Sequence, residues 1–313
     1  MFSIRDRIEQ MKANLLGSSF SKEDCKLVHH NTADVTDILK SGIGDKKYRI
    51  ATSGYSFDQE GYKEVTTKFL KELDQRLGRK NTGYVTTPAL ADGSIYDITT
   101  QVSGLGAENV AYFTTDRYWE GTDFDGFNKN INMRQYAKTP IHVFPDTETY
   151  TDATANASNV LICTGGRKVA ITEIVEALKR KSKVILLINP NLKNEGFDME
   201  KGRVENAAEY FVDYMERCRK DLPQAEQLDL DFLTKYPGRS LHLLKVYFVK
   251  DDKDIEAAAT RASNFLNGKT AYDYWPNKAD EIDRESGAVA RKVDREMAFQ
   301  HWKETGEMKI LYK

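Results

Sequence analysis

A strand–helix–strand pattern that ends near Pro190 constrains the fold of this chain more than any other stretch. Residues 160–163 are apolar, paired glycines follow at Gly165 and Gly166, and a second apolar run occupies residues 184–188. Between the two runs, apolar side chains recur at the spacing of one helix face: Ile171, Ile174, Val175 and Leu178. The pattern predicts a βαβ unit with a glycine turn where the first strand passes into the helix.

This glycine turn is compatible with two roles. Glycine lets the backbone approach a ligand closely, and the free N–H groups at the start of a helix favour an anionic group. The alternative is that Gly165 and Gly166 form a tight turn without a ligand. Arg167 and Lys168 follow the turn directly. Because positive charge is mildly unfavourable at a helix start, their presence favours an anionic partner over two ordinary surface charges.

Strand and helix patterns alternate through residues 46–194. They predict an α/β domain with a Rossmann-like, doubly wound parallel sheet and helices on both of its faces. Residues 1–45 carry short apolar stripes, typical of an N-terminal helical segment. Residues 195–313 combine helical stripes with a β-like run, which predicts an α+β, mostly helical C-terminal extension. One interpretation of this extension is an interface for a homo-oligomer.

Turns of small residues follow three of the predicted strands. Ligands of doubly wound sheets bind beyond the carboxyl ends of the strands, where the strand order reverses. The convergence of three such turns at that edge favours a ligand pocket over plain turns. The candidate ligand-binding residues in these turns are Ser53, Gly54, Tyr55, Gly93, Ser94, Thr164, Gly165, Gly166, Arg167 and Lys168.

The charge balance and the cysteine count exclude several classes of protein. The chain carries 46 basic and 48 acidic side chains, for a formal net charge of −2, which argues against a nucleic-acid backbone or a membrane surface as the main partner. No apolar run approaches the length of a bilayer span, and the N-terminus lacks the apolar core of a signal peptide. Its three cysteines and five histidines show neither a disulfide framework nor metal-ligand spacing, and adjacent His29 and His30 are interpreted as a surface feature. We therefore expect a cytoplasmic protein without a metal or cofactor.

An apolar strand, a Gly-Gly turn and a helix carrying Thr172 and Glu173 follow one another from residue 160. This order resembles the hallmark of the SLOG superfamily, the Rossmann-like group that includes the Lonely Guy phosphoribohydrolases, the DNA-processing protein DprA and nucleotide-sensing modules of defence proteins. The turn at residues 52–56 is similar to the one after the family's first strand, and residues 90–95 resemble its glycine-rich second turn. The resemblance covers residues 49–188 and implies a nucleotide-derived ligand, with Thr172 among the binding residues.

The chain departs from the hydrolase pattern at several positions. Lys168 and Val169 stand where the hydrolases have a further Gly and a Thr, and Glu173 lies one or two positions later than their acid. Arg134 is the match to their upstream Arg, although it lies farther ahead of the glycines. At about 100° per residue, Glu173 points away from the apolar stripe of its helix. It is therefore either a reacting carboxylate or an ordinary solvated glutamate.

The resemblance implies an enzyme that hydrolyses the N-glycosidic bond of a nucleotide. Glu173 or Asp92 would stabilise positive charge on the ribose or activate water, while Arg134 or Arg167 would hold the phosphate. A related alternative is a nucleoside deoxyribosyltransferase-like enzyme, whose carboxylate nucleophile would be Asp92 or Asp116. An alternative from another class is a sensor or sequestering protein that binds a nucleotide derivative without turning it over. An interaction protein that kept the fold and lost the pocket is the remaining alternative.

Overall fold

The computed structural model describes residues 22–54, 62–89, 93–104, 106–120, 136, 139–164, 168–188, 243–249 and 251–268. The strands are β1 Leu27–His29, β2 Tyr48–Gly54, β3 Thr82–Thr86, β4 Val110–Thr115, β5 Ile141–Phe144, β6 Val160–Thr164, β7 Lys183–Ile188 and β8 Leu244–Phe248. The helices are α1 Thr36–Ser41, α2 Tyr62–Leu77, α3 Ile95–Ser103, α4 Asp116–Glu120, α5 Thr147–Ala157, α6 Lys168–Lys179 and α7 Asp252–Leu266. Short 3-10 turns lie at Lys22–Asp24, Ile43–Asp45 and Arg79–Asn81.

The eight strands form one sheet in the order β1-β5-β4-β3-β2-β6-β7-β8. Every pairing in it is parallel. From β2 the chain moves outward through β3 and β4 to β5, then returns to the other side of β2 with β6 and continues to β7 and β8. This reversal confirms the predicted doubly wound α/β fold and places the switch in strand order between β2 and β6.

The residues of the central strands explain why this sheet is buried on both faces. All five residues of β3 and all five of β6 are buried. Parallel strands covered by helices on both faces have continuous apolar runs instead of an apolar–polar alternation. The predicted run at residues 160–163 is of this kind, and it forms most of β6.

Two layers of helices cover the sheet. On one face α1, α5 and α6 pack over the strands, and Ile38, Ala153 and Ile174 belong to the same apolar cluster. On the other face α2, α3 and α7 bury Phe69, Ile98 and Phe265. The apolar stripe predicted for residues 171–178 is the buried face of α6.

The outermost strands come from the two segments that flank the predicted core domain. β1 lies in the segment where the sequence predicted only helices, and it pairs with β5. A strand of three residues is too short to leave an alternating pattern in the sequence. β8 falls in the predicted C-terminal extension, pairs with β7, and is followed by α7, which packs against α2. One predicted N-terminal helix is present as α1, and the remaining helices predicted in these two segments lie outside the described residues.

No helix in the described parts of the chain is long and apolar enough to cross a membrane.

Candidate functional site

The ends of β2 and β6 meet at the switch in strand order. Ser53 and Gly54 end β2, and they pair in register with Cys163 and Thr164 at the end of β6. β3 lies on the other side of β2, so the three segments that carry the predicted turns follow neighbouring parallel strands. The described parts of these turns therefore lie at one edge of the sheet, the edge at which doubly wound proteins bind ligands.

Gly54 allows a very close approach of these two strands. Its φ of +150° belongs to a region that side chains with a Cβ rarely adopt. A Cβ at this position would lie 2.7 Å from the Thr164 hydroxyl oxygen and 3.1 Å from its carbonyl oxygen. The glycine is thus required by the backbone geometry at the switch point, whether or not a ligand binds.

Glu173 extends from α6 into this region and is 5% exposed. The Ser53 hydroxyl donates a hydrogen bond to Glu173 Oε2, which joins α6 to the end of β2. The interpretation of Glu173 as an ordinary solvated glutamate is therefore wrong. The apolar stripe of α6 faces the sheet, but α5 also packs against α6 and buries a second side of the helix.

The pKa of Glu173 follows from this burial. Removal from water disfavours the carboxylate and raises the pKa of Glu173 to about 7, although hydrogen bonds from Ser53 and Tyr150 act in the opposite direction. At neutral pH both protonation states are therefore populated. A carboxyl group of this kind can donate a proton and, after losing it, accept one.

Tyr150, on α5, is the second side chain that contacts this carboxyl group. Its hydroxyl oxygen lies 2.8 Å from the Thr87 hydroxyl oxygen, directly after β3. Burial, and then the neighbouring Glu173, raise the pKa of the Tyr150 phenol, so it keeps its proton at neutral pH. The sequence did not predict a role for Tyr150, because a lone Tyr in a segment rich in Thr and Ala gives no signal of its own.

Two further tyrosines lie in the same region. Burial raises the pKa of Tyr96 on α3 well above its ordinary value, and the neighbouring Tyr150 and Glu173 raise it further. Burial, and then Tyr150, also raise the pKa of Tyr118 on α4. These phenols are neutral at physiological pH, with Tyr96 close to Glu173 and Tyr118 close to Tyr150.

Threonine hydroxyls connect the neighbouring strands just below this edge. The Thr52 and Thr86 hydroxyl oxygens lie 3.1 Å apart, and the Thr99 hydroxyl lies 3.0 Å from that of Thr52. All three side chains are buried. They satisfy one another's polar groups across β2, β3 and α3, which stabilises the strand ends on which Ser53 and Thr87 are placed.

Gly93 and Ser94 shape the start of α3. Ser94 is the N-cap, and its hydroxyl oxygen accepts a hydrogen bond from the Asp97 N–H at 3.3 Å. The Asp97 carboxylate accepts hydrogen bonds from the Gly93 N–H at 3.0 Å and from the Gln101 amide at 2.8 Å. These bonds give Ser94 and Gly93 a structural role at the helix start. Sequence reasoning also missed Asp97, whose burial at 4% exposure no local pattern indicates.

The remaining predicted site residues divide into two groups. Thr164 is buried at the end of β6, and Thr172 is partly buried beside Glu173. Lys168 begins α6, but its side chain lies outside the described structure. The others lie wholly outside the described residues: Tyr55, Asp92, Arg134, Gly165, Gly166 and Arg167.

Metal ligands do not cluster in the described structure. Within residues 22–268, apart from the undescribed gaps, no group of three or more His, Cys, Asp or Glu side chains could hold a metal ion. The chemistry available at the described edge is that of the buried Glu173 and Asp97 carboxyl groups with hydroxyl and aromatic neighbours.

Comparison with known proteins does not assign the chain to a family. No family model matches the sequence, and no curated protein matches it either.

Proposed function

We propose that this protein binds a nucleotide-derived ligand at the edge where β2 and β6 meet and hydrolyses its N-glycosidic bond. The observation that carries the proposal is the buried Glu173 carboxyl group at the switch in strand order, with a pKa of about 7. Strongly perturbed titratable groups in such positions are characteristic of functional sites.

Ligand binding at this edge is supported by the architecture around it. α6 starts directly after the turn that follows β6, and the N–H groups at the start of a helix of this length favour a phosphate. The buried phenols of Tyr96 and Tyr150 and the partly buried side chain of Tyr118 suit the hydroxyl groups of a ribose and the faces of a base. Roles for Asp92, Arg134 and Arg167 in holding or activating the ligand stay predictions from the sequence.

The proposed reaction uses both protonation states of Glu173. As the N-glycosidic bond breaks, its electron pair leaves with the base, and protonated Glu173 supplies a proton to that base. The resulting carboxylate stabilises the positive charge on the ribose and takes a proton from the water that adds to the anomeric carbon. One water is consumed, and a free base and a ribose derivative are produced.

A binding protein without turnover is the second candidate. One observation favours it: the Glu173 carboxyl group already accepts hydrogen bonds from Ser53 and Tyr150, as a purely structural carboxyl group would. A deoxyribosyltransferase-like enzyme is less well supported by the two carboxylates that the sequence offers as its nucleophile. Asp92 lies outside the described residues, and Asp116 follows β4, two strands away from β2, where its partly exposed side chain lies 3.4 Å from His29. A cytoplasmic location and self-association through the C-terminal segment stay predictions as well.

A ligand screen with product analysis separates these functions. The full chain is mixed with nucleoside monophosphates, NAD, ADP-ribose and cyclic nucleotides, its melting temperature is measured, and each mixture is then chromatographed. A ligand that binds the native protein must raise its apparent stability. Hydrolysis predicts a shift together with released base, whereas a sensor predicts a shift with intact ligand. No shift with any of these compounds would contradict both.

A matched pair of variants then tests the role of Glu173. Glu173→Gln keeps the shape of the side chain but cannot exchange a proton, so we expect binding to persist and base release to fall by about 10²- to 10⁴-fold. Glu176→Gln is the control, because Glu176 lies on the same helix and forms a salt bridge with Lys179 at 2.8 Å. Equal rates for the two variants would exclude Glu173 as the proton donor.

A further inference from the structure

Two side chains, Ser53 and Tyr150, contact the Glu173 carboxyl group, and Thr87 contacts Tyr150. Ser53 comes from β2, Thr87 from the residue after β3, Tyr150 from α5 and Glu173 from α6. The contacts run in sequence from Thr87 to Tyr150, from Tyr150 to Glu173, and from Ser53 to Glu173. All four residues are buried. Ser53 is 1% exposed, and the other three are between 4% and 9% exposed.

The direction of these hydrogen bonds follows from the protons available. The Tyr150 phenol keeps its proton at neutral pH and donates it towards the carboxyl group, which leaves its oxygen to accept from Thr87. Ser53 also donates to the carboxyl group. Thr87 therefore donates to Tyr150, and Tyr150 and Ser53 both donate to the Glu173 carboxyl group.

We propose that Tyr150, itself oriented by Thr87, is a positioning residue that together with Ser53 fixes the Glu173 carboxyl group for reaction at the switch point. This inference rests on the proposed function for its catalytic meaning. In structural terms, the hydroxyl group of Tyr150 holds the Glu173 carboxyl group in one orientation and stabilises its ionised form. A tyrosine that only filled space would have neither effect.

The other tyrosines near Glu173 do not change their charge near pH 7, so they do not obscure the titration of its carboxyl group. Tyr96 faces it from α3, and Tyr118 and Cys163 lie close to Tyr96 from α4 and β6. Both tyrosines stay protonated near pH 7 because burial raises their pKa values. Burial raises the pKa of Glu173, and the hydrogen bonds from Ser53 and Tyr150 lower it. A change in its titration after substitution of Tyr150 therefore reports on the phenol hydroxyl.

The test is a titration of Glu173 itself, independent of turnover. Full-length protein is labelled with carboxyl-¹³C glutamate, and the Glu173 resonance is assigned by its loss in Glu173→Gln. Tyr150→Phe removes only the hydroxyl group, and we expect it to raise the pKa of Glu173 by about one to two units, as a hydrogen bond to a charged group is lost. Thr87→Val should raise it by less, and Thr87→Ser should restore it.

Tyr84→Phe is the matched control. Tyr84 is a buried tyrosine whose hydroxyl donates to another buried carboxylate, Asp74, at 3.1 Å. This variant should leave the titration of Glu173 unchanged. An unchanged titration in Tyr150→Phe would overturn the inference. If Tyr150→Phe does not fold, an unchanged titration in Thr87→Val overturns it instead.

Enzyme kinetics separate this inference from the proposed function. With a hydrolysed ligand in hand, the limb of the kcat/KM profile that reports Glu173 should move upward in pH by the same amount as the NMR titration. A shifted titration in a protein that turns over no ligand supports the positioning of the carboxyl group and overturns the hydrolase. Turnover with an unshifted titration and an unshifted profile supports the hydrolase and overturns the role of Tyr150.

Discussion

His30 and His142 form a hydrogen bond of 2.9 Å between Nε2 and Nδ1, which links the residue after β1 to the middle of β5. The His30 ring stacks on Phe144 at 5.2 Å, and the Phe113 ring meets His142 edge-on at 5.8 Å. Such a bond requires an unprotonated nitrogen on one ring. His29, by contrast, is exposed and lies 3.4 Å from Asp116, so the interpretation of the adjacent histidines as a surface feature fits only His29.

Acidification is expected to destabilise the protein through this pair. Burial, then His30 and Lys26, lower the pKa of His142 to about 4, while an unfolded histidine titrates near pH 6.5. Between those values the unfolded chain binds more protons, so stability falls as the pH falls. With partial exposure taken into account, the loss is about 1–2 kcal/mol between pH 7 and pH 4.

Urea unfolding at several pH values checks this prediction. His142→Phe should reduce the dependence of the free energy of unfolding on pH below 6.5. Parallel curves for His142→Phe and the unsubstituted protein would show that the pair does not titrate as expected.

Glu173→Gln is expected to stabilise the folded protein at alkaline pH. The carboxyl group titrates near pH 7 when folded and near pH 4.3 when unfolded, so the folded state binds more protons between these values. The contribution of Glu173 to the free energy of unfolding is fully present below about pH 4 and is lost as the pH rises through 7. The loss amounts to up to about 3 kcal/mol. The variant should therefore gain free energy of unfolding at pH 8 and little at pH 4.

Denaturant midpoints at pH 4 and pH 8 measure this difference. Glu176→Gln, which removes only the salt bridge to Lys179, should change stability by less than about 1 kcal/mol. A Glu173→Gln variant that is less stable than the unsubstituted protein at pH 8 would be inconsistent with a desolvated carboxyl group. Such a gain in stability with a loss of activity is common where a site retains a strained or buried charge.

Gly54→Ala is expected to destabilise the switch point by about 1–3 kcal/mol. The new Cβ would combine an unfavourable φ with contacts to Thr164 that are too short. Gly268→Ala is the control, because Gly268 also has a positive φ, +72°, but nothing lies within 4 Å of the position a Cβ would take. Thermal unfolding should show the larger loss for Gly54→Ala. Equal losses of stability in the two variants would mean that β2 and β6 move apart at Gly54 and Thr164 without strain.

Ser94→Ala is expected to cost about 1 kcal/mol, the usual effect of removing an N-cap. Asp251 caps α7 in the same way, with its carboxylate accepting from the Asp254 N–H at 3.0 Å. Asp251→Ala should therefore cause a comparable loss in urea unfolding. If Ser94 also binds the ligand, only Ser94→Ala should weaken binding beyond its effect on stability. Equal binding by both variants would restrict Ser94 to its capping role.

Local sequence patterns were sufficient for most of the fold. The apolar run at residues 160–163 and the stripe from Ile171 to Leu178 correspond to β6 and the buried face of α6. These patterns work because backbone hydrogen bonding and burial impose a fixed period on each element. β1 was missed, since three residues carry no period, and it forms only because β5 offers an edge on which to pair.

By itself, the sequence determined the α/β class, the doubly wound sheet and the placing of Ser53, Gly54 and Thr164 at strand ends. Only the tertiary structure decided that Glu173 is buried, that Ser53 from 120 positions away donates to it, and that Tyr150 and Thr87 complete the network. The physical reason is that a pKa and a hydrogen bond depend on the distance between groups in space. Residues far apart along the chain meet only once the sheet has formed and α5 has packed on α6.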